Sequence, residues 1–555
     1  MNMKRLILCF LLLGTLSLFA QVTTIPEYIY RGYRGPVTIV FDPTQGNRGM
    51  VNATQCYAHT GVTYDGRSWQ HCGSWRDGKD KYRMTLDEQG CWRLEMPNGI
   101  YTYYGVDTSK VITQLCFVFN DGPNGSKEGK TSSGGDIFVD LYTEAPTDPI
   151  IEPRPAGLQL GITYYPDDPT MVTLCMFAGH CLTANDPSVL VPESHVFLLG
   201  DFNDWTITNA YQLHRDSCYF WLTLTDLQPG KEYAFQYLVM RTDGANVRLS
   251  DPFATKQLHE QDQYEPRTTD PTLRAYPTGG DGSYASVFQT AQEPYQWSEA
   301  TLTFRRPNPN NLIIYELWTY DYTDSRNFRG LTNRLDYLQQ LGVNAIELMP
   351  VCEFDGNYNW GYSPNHYFAV DKAYGSATMF RQLVDSIHAH GMAVILDMVF
   401  NHATGQNPQN KLYPYGSDLK YNPWFNANPP HGDNFYEDWN HDFPETRAMF
   451  LRALNYWLDD YKVDGFRMDL SHGLCGKTLN AYDNLLYYYQ NAILPHQAYF
   501  ILEHWGSKMN TERPQLIQQG MFCWQNTNNA YSQLAMGYTS ESSLSAASKP
   551  GYVSY

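Results

Sequence analysis

From residue 312 onward short apolar segments alternate with amphipathic ones, and this rhythm narrows the folds open to the chain more than any other feature. IIYELWT (313–319), VNAIELMP (343–350), MAVILDMVF (392–400), KVDGFRMDL (462–470) and AYFILEHW (498–505) read as strands. LTNRLDYLQQLG (331–342), TMFRQLVDSIHAHG (378–391) and PETRAMFLRALNYWLDDY (444–461) carry apolar residues at helical spacing. Strands and helices in strict alternation predict a parallel sheet with helical crossovers. No glycine-rich nucleotide loop follows the first strand, so a (β/α)8 TIM-type barrel is predicted over a doubly wound sheet. A long insert, running to about residue 442, interrupts it after the third strand.

A chain of 555 residues exceeds one core, and roughly two to four domains are expected. Residues 22–143 show short runs such as VTIVFD (37–42), YRMTLD (82–87), CWRLEM (91–96), LCFVFND (115–121) and DIFVDLY (136–142), separated by turn residues. They predict a β-sandwich. The Pro-rich stretch 144–157 reads as a stiff linker. Residues 158–300 predict a second β-sandwich, from HVFLLGDF (195–202), YFWLTLTDL (219–227) and EYAFQYLVM (232–240). A second break, RRPNPNN (305–311), suggests that residues 22–300 fold apart from the barrel. The predicted fold class is thus two N-terminal β-sandwich domains followed by a TIM-type barrel at 312–555.

Residues 1–20 have the form of an export signal: Lys4 and Arg5, an apolar run at 6–13, and Ala20 as a cleavage residue. The run is too short to span a bilayer, and no later segment is apolar enough to do so. A secreted or periplasmic protein is expected. Ten cysteines follow the signal. Cys56, Cys72, Cys91 and Cys116 crowd into one region, where disulfides and free buried thiols both remain open.

The formal charge of −19 argues against nucleic acid, which needs a cationic surface. Aromatic residues make up 15% of the chain, with 43 Tyr; this suits core packing and also sugar faces.

Functional groups in such a barrel sit at the C-terminal ends of its strands. Three strands end in polar clusters: Asp397, Asn401 and His402; Arg467 and Asp469; Glu503 and His504. Arg467 and Asp469 are two apart and share one strand face, opposite Phe466 and Met468. A neighbouring arginine favours the ionised carboxylate at Asp469. Glu503 is expected in an apolar setting that raises its pKa and suits it to proton donation. Two carboxyls tuned in opposite directions are what glycoside hydrolysis requires.

DMVFNH (397–402), GFRMD (465–469) and ILEH (501–504) resemble the first three signature regions of glycoside hydrolase family 13, the α-amylase family, and WGYSPNHYFAVDKAYG (360–375) resembles its segment after the second strand. The resemblance implies Asp469 as nucleophile and Glu503 as general acid/base. It implies Tyr362 as an aromatic platform under the sugar, with His402 and Arg467 holding that sugar and the nucleophile. His472 stands where many relatives carry a leaving-side lysine. Asn401 matches a position that binds structural calcium in many relatives, with Asp438 as a second ligand; no organic cofactor is implied. The segment around GDFNDW (200–205) resembles the starch-binding-type module of branching and debranching enzymes. There Trp205 is a candidate for glucan stacking or for the core, as are Trp69, Trp75 and Tyr104 in the first domain.

The family's fourth signature region, a His-Asp pair near strand seven, is not found, and GYVSY (551–555) resembles its lead-in. The barrel is therefore expected to stop after about strand six to seven, leaving an inactive fragment. The expected activity of the whole enzyme is retaining endo-hydrolysis of α-1,4-glucans such as starch or glycogen. A branching enzyme uses the same residues but draws on cytosolic substrates, which export disfavours. A glucan-binding protein without turnover is the third reading.

Overall fold

The computed structural model describes residues 21–536 except 27, 132–133, 243–245, 265–271, 414–418, 434 and 524–527. The export-signal segment and GYVSY lie outside the described residues.

The first domain is a sandwich of two antiparallel sheets. One runs in the order Val22–Ile25, Val37–Phe41, Trp92–Met96, Thr85–Leu86; the other is built on Tyr57–Tyr64 and Gln114–Asn120. Alternate residues Val37, Ile39 and Phe41 are buried while Thr38 and Val40 are only partly covered, as a one-sided strand requires. Phe41 from one sheet stacks on Phe119 from the other at 3.8 Å between ring centres. The predicted strand over 82–87 shrinks to Thr85–Leu86, because Asp87 turns the chain by accepting the amides of Gln89 and Cys91 on its side chain. The ten cysteines among the described residues are free thiols.

The second domain pairs two further antiparallel sheets, with Val172–Phe177 and Tyr219–Leu224 central in one and His195–Gly200 and Glu232–Met240 in the other. The Pro-rich stretch before it lies along this domain: Ile151 bridges to Arg215, whose amide donates to the Ile150 carbonyl. The expected break at 305–311 does not separate two cores. Leu160, Phe177, Trp221 and Phe253 belong to the same buried cluster as the barrel's Phe328, Phe368 and Trp424. Arg452 donates to the Leu160 carbonyl and lies over Phe253, while Arg306 pairs with Asp464 at 2.9 Å.

The third region is a parallel sheet of β1 (Ile314–Leu317), β2 (Ala345–Leu348), β3 (Ala393–Met398), β4 (Gly465–Met468), β5 (Tyr499–Leu502) and β6 (Phe522–Cys523), in that spatial order. It is an incomplete TIM barrel among the described residues. Strands β2 to β5 are buried along their whole length, which is why they read as continuous apolar runs. Helix α1 (Ala377–Ala389) starts where the Ser376 side chain accepts the Met379 amide, and buries Phe380, Leu383, Val384 and Ile387 on one stripe. Helix α2 (Pro444–Asp460) opens on a proline, whose missing N–H costs nothing there, and buries Phe450, Leu454 and Trp457. The helix predicted over 331–342 is two short ones, Phe328–Thr332 and Leu335–Gln340. Asn327 caps the first one turn early, and the backbone breaks helical geometry at Arg334.

Gly465 sets the spacing of β4 and β5. A Cβ there would stand 2.5 Å from both the Tyr499 Cβ and the Tyr499 carbonyl oxygen.

Candidate active site

The ends of β3, β4 and β5 lie side by side in register, with Asp397 opposite Arg467 and Met468 opposite Leu502. Asp469 and Glu503 follow β4 and β5 directly. Backbone bonds extend the ladder by one residue, from the Asp469 amide to the Met398 carbonyl and from the Glu503 amide to the Met468 carbonyl. Phe466 and Met468 point into the shared core, and Arg467 points to the opposite face, as the strand period requires.

Arg467 is the hub. Its Nη1 lies 3.0 Å from Asp397 Oδ1 and 2.7 Å from Asp469 Oδ1, and its Nη2 lies 2.8 Å from Glu503 Oε2. One planar cation thus serves three carboxylates, a geometry that lysine's single ammonium cannot reproduce. Tyr362 donates its hydroxyl to Asp397 Oδ2 at 2.6 Å, and His402 Nε2 donates to the Tyr362 carbonyl at 2.8 Å. His402 Nδ1 is therefore a bare acceptor, buried and without a hydrogen-bond partner. Burial pulls the His402 imidazole down to about 4, so the ring is neutral at ordinary pH.

Burial pushes Asp397 well above the usual carboxylate range, against the pull of Arg467. Asp469 is also raised, first by burial, while Arg467 and the Asn401 side chain at 3.3 Å draw it back. Arg467 favours the ionised Asp469 as expected, but burial outweighs it. The setting of Glu503 is corrected: instead of an apolar pocket it has the Arg467 guanidinium, and the Leu470 amide donates to its Oε2 at 3.1 Å. Leu470 reaches that position with φ of 38°, a left-handed conformation costly for a leucine.

Glu347 was not singled out in the sequence. It lies on β2 beside Glu316 of β1, and burial followed by the charge of Glu316 pushes it up to about 7, with Arg467 opposing. The signal for Glu347, as for Asp397, was a carboxyl inside an otherwise apolar strand.

Exposed aromatics rim the barrel mouth. Trp318, just after β1, stacks on Tyr320 at 5.4 Å and meets the edges of Tyr358 and Trp360 at 5.4 and 6.2 Å. Tyr358 and Trp360 are 68% and 61% exposed, more than packing requires of such large rings.

The remaining sequence candidates divide. Tyr104 is a core residue, its hydroxyl 2.6 Å from Thr60 Oγ1. Trp69 stacks on His59, with Trp75 against the same ring from the edge. Trp205 is half-buried, its indole N–H donated to Asp201. His472 lies apart from the Arg467 hub, bonded through Nε2 to Asp433.

Of the two expected calcium ligands, Asn401 and Asp438, only Asn401 has an oxygen without a hydrogen-bond partner. Asn401 Oδ1 is buried and without a partner, as a cation ligand would be. However, Asp438 has both oxygens engaged, Oδ1 by His431 Nε2 at 2.6 Å and Oδ2 by Asn426 at 2.7 Å. Calcium takes about six to eight oxygens, and here an imidazole holds the carboxylate instead.

Residues 302–446 match the family model described as the catalytic domain of alpha amylase. That stretch, about a quarter of the chain, is what resembles an α-amylase catalytic domain. That stretch contains Tyr362, Asp397 and His402; Asp469 and Glu503 lie beyond it. The chain is 35% identical over 232 residues to the malto-oligosyltrehalose trehalohydrolase of Saccharolobus solfataricus, covering 41% of this chain and 38% of that one. It is 34% identical over 166 residues to the pullulanase of Bacillus subtilis, covering 27% and 23%. A pullulanase from Anoxybacillus sp. LM18-11, solved with maltotriose, matches at 19% identity and a TM-score of 0.46, over 86% of this chain and 62% of that one. The chain thus spans less than half the length of the curated relatives named here. Among the described residues, no helix is long and apolar enough to cross a membrane.

Proposed function

We propose that this chain belongs to a retaining hydrolase of the α-amylase family that acts on α-linked glucans, with Asp469 as nucleophile and Glu503 as general acid/base. The observation that carries the reading is the single guanidinium of Arg467 joining both carboxyls at the ends of adjacent strands. Asp469 attacks the anomeric carbon while Glu503 gives its proton to the leaving glycosidic oxygen. Glu503, now a carboxylate, then takes a proton from the water that frees the sugar from Asp469. Asp397 and Tyr362 hold Arg467 and the floor of the site, and His402 Nδ1 accepts a sugar hydroxyl. The exposed rings at Tyr358 and Trp360 suit the apolar faces of glucose units.

The bond proposed is α-1,4 within a chain. A second reading, cleavage at an α-1,6 branch or next to a terminal trehalose, is favoured by the names of the curated relatives. Export belongs to the proposal as well, supported by the charged start and apolar run of residues 1–20.

Incubation with maltoheptaose, pullulan and maltooligosyl-trehalose, with products resolved by chromatography, separates the bond types. A maltooligosyl fluoride carrying 2-fluorine is expected to leave a covalent sugar on Asp469, read by peptide mass spectrometry. Labelling on any other carboxyl removes the assignment.

A further inference from the structure

Away from the Arg467 hub, the insert between β3 and α2 meets the segment that follows β4. His431 and Asp433 come from the insert and His472 from the segment, and one ligand atom of each lies within 4.8 Å of the other two. From this juxtaposition we infer that His431, Asp433 and His472 form a binding site for a divalent transition ion of the zinc class.

The donor chemistry selects the ion. Two imidazoles and one carboxylate suit zinc, cobalt or nickel, whereas calcium and magnesium want oxygen throughout. Zinc bonds to nitrogen and oxygen run to about 2.0–2.2 Å, so two ligand atoms on one ion sit up to about 4 Å apart. Only a small closure is needed: Asp433 already pairs with His472 Nε2, and its side chain, 42% exposed, can turn from that contact to the ion.

The surroundings are those of a ligand set. His431 donates Nε2–H to Asp438, and Asp438 is fixed in turn by Asn426. A carboxylate behind an imidazole orients the ring and raises its basicity, the usual support for a metal-bound histidine. That bond leaves His431 Nδ1 out of solvent with no hydrogen-bond partner, and His472 Nδ1 is in the same state. Buried polar atoms rarely stay unsatisfied, and an ion taken by these lone pairs relieves the deficit. The three residues line a cavity of about 590 Å³, together with Cys475, Trp505 and Glu512, through which a hydrated ion can enter.

Its effect would be local. His472 lies two residues beyond Leu470, whose amide holds Glu503, so an ion here ties the insert to the segment carrying the two reactive carboxyls. The inference stands whether or not the hydrolase reading does.

The test uses the full chain with Cys72→Ser, since that exposed thiol could itself take metal. After treatment with chelator, Zn2+ and Ca2+ are titrated by calorimetry and Co2+ by visible absorption. The expected result is one equivalent of Zn2+ with Kd of about 1 µM or tighter. Co2+ should give the intense bands of a low-coordinate site, and Ca2+ should not compete. Asp433→Asn, a change on an exposed side chain, should weaken Zn2+ at least about 10-fold with unaltered circular dichroism. Equal Zn2+ affinity in parent and Asp433→Asn, no stoichiometric binding in the parent, or displacement by Ca2+ at equal concentration would each overturn the site.

Discussion

The Arg467 guanidinium holds Glu503 at 2.8 Å while its other terminal nitrogen holds Asp469 at 2.7 Å. In the proposed mechanism Glu503 has to give up this contact before it donates its proton. Arg467→Lys should cost kcat about 10²-fold or more, because an ammonium cannot serve three carboxyls. It should also lower stability by roughly 3 kcal/mol, since buried Asp397 loses its partner. Kinetics on a maltooligosaccharide and urea unfolding check the two effects. A variant with wild-type kcat would show that the hub is structural only.

Asp469→Asn should reduce turnover by several orders of magnitude while leaving glucan affinity nearly intact, the mark of a covalent catalyst. Calorimetry with maltoheptaose reads affinity, and reducing-end release reads turnover. More than about a tenth of the parent rate removes Asp469 from the role.

Glu347 gives the barrel a pH signature. Its carboxyl is pushed up to about 7 from an ordinary 4.5, so the folded state binds the proton more tightly than the unfolded chain. Stability should therefore fall as pH rises from about 4.5 to about 7 and then level off. The shift corresponds to about 3 kcal/mol, as an upper figure. Glu347→Gln should remove the slope, so the variant gains on the parent at pH 8 relative to pH 5. Urea unfolding at the two values measures it; parallel curves would place the ionisation elsewhere.

Trp360→Ala should raise KM for a long maltooligosaccharide about 3- to 10-fold with kcat unchanged. An exposed ring that stacks on sugar supplies roughly 0.5–1.5 kcal/mol to ground and transition state alike. Equal KM in the two proteins would make the ring an ornament of the rim.

Residues 22–300 made alone should fail to reach a compact native state, since Phe177, Trp221 and Phe253 would lose the barrel side chains they pack against. Near-UV circular dichroism and gel filtration would show it. A sharp, cooperative melt of that piece would mean the shared core is dispensable.

The barrel strands were legible because burial on both faces writes them as unbroken apolar runs, and the polar clusters at their ends stand out against that background. Arg467 and Asp469 could be placed on one face from the strand period alone. The setting of Glu503 could not, because it depends on which neighbour crosses from the adjacent strand and on a left-handed Leu470 that no spacing announces. The linkage of the second domain to the barrel was hidden for a similar reason. Pro-rich stretches mark where the chain leaves an element, and say nothing of what packs across the gap. The strand Tyr57–Tyr64 was passed over because His59, Thr60 and Gly61 dilute its apolar pattern, although Thr60 is fully buried against Tyr104.

Gly465 has a reach beyond its own position. It stands opposite Tyr499 at the base of the strands that end in Asp469 and Glu503, and leaves no room for one methyl group. In glycosidases the gap between two carboxyls decides whether the released sugar keeps or flips its anomeric configuration, with about 5–5.5 Å for one outcome and about 6.5–9.5 Å for the other. Under the proposed mechanism, the handedness of the product would be anchored four residues below Asp469 and Glu503, in a hydrogen atom standing where every other amino acid would place a carbon.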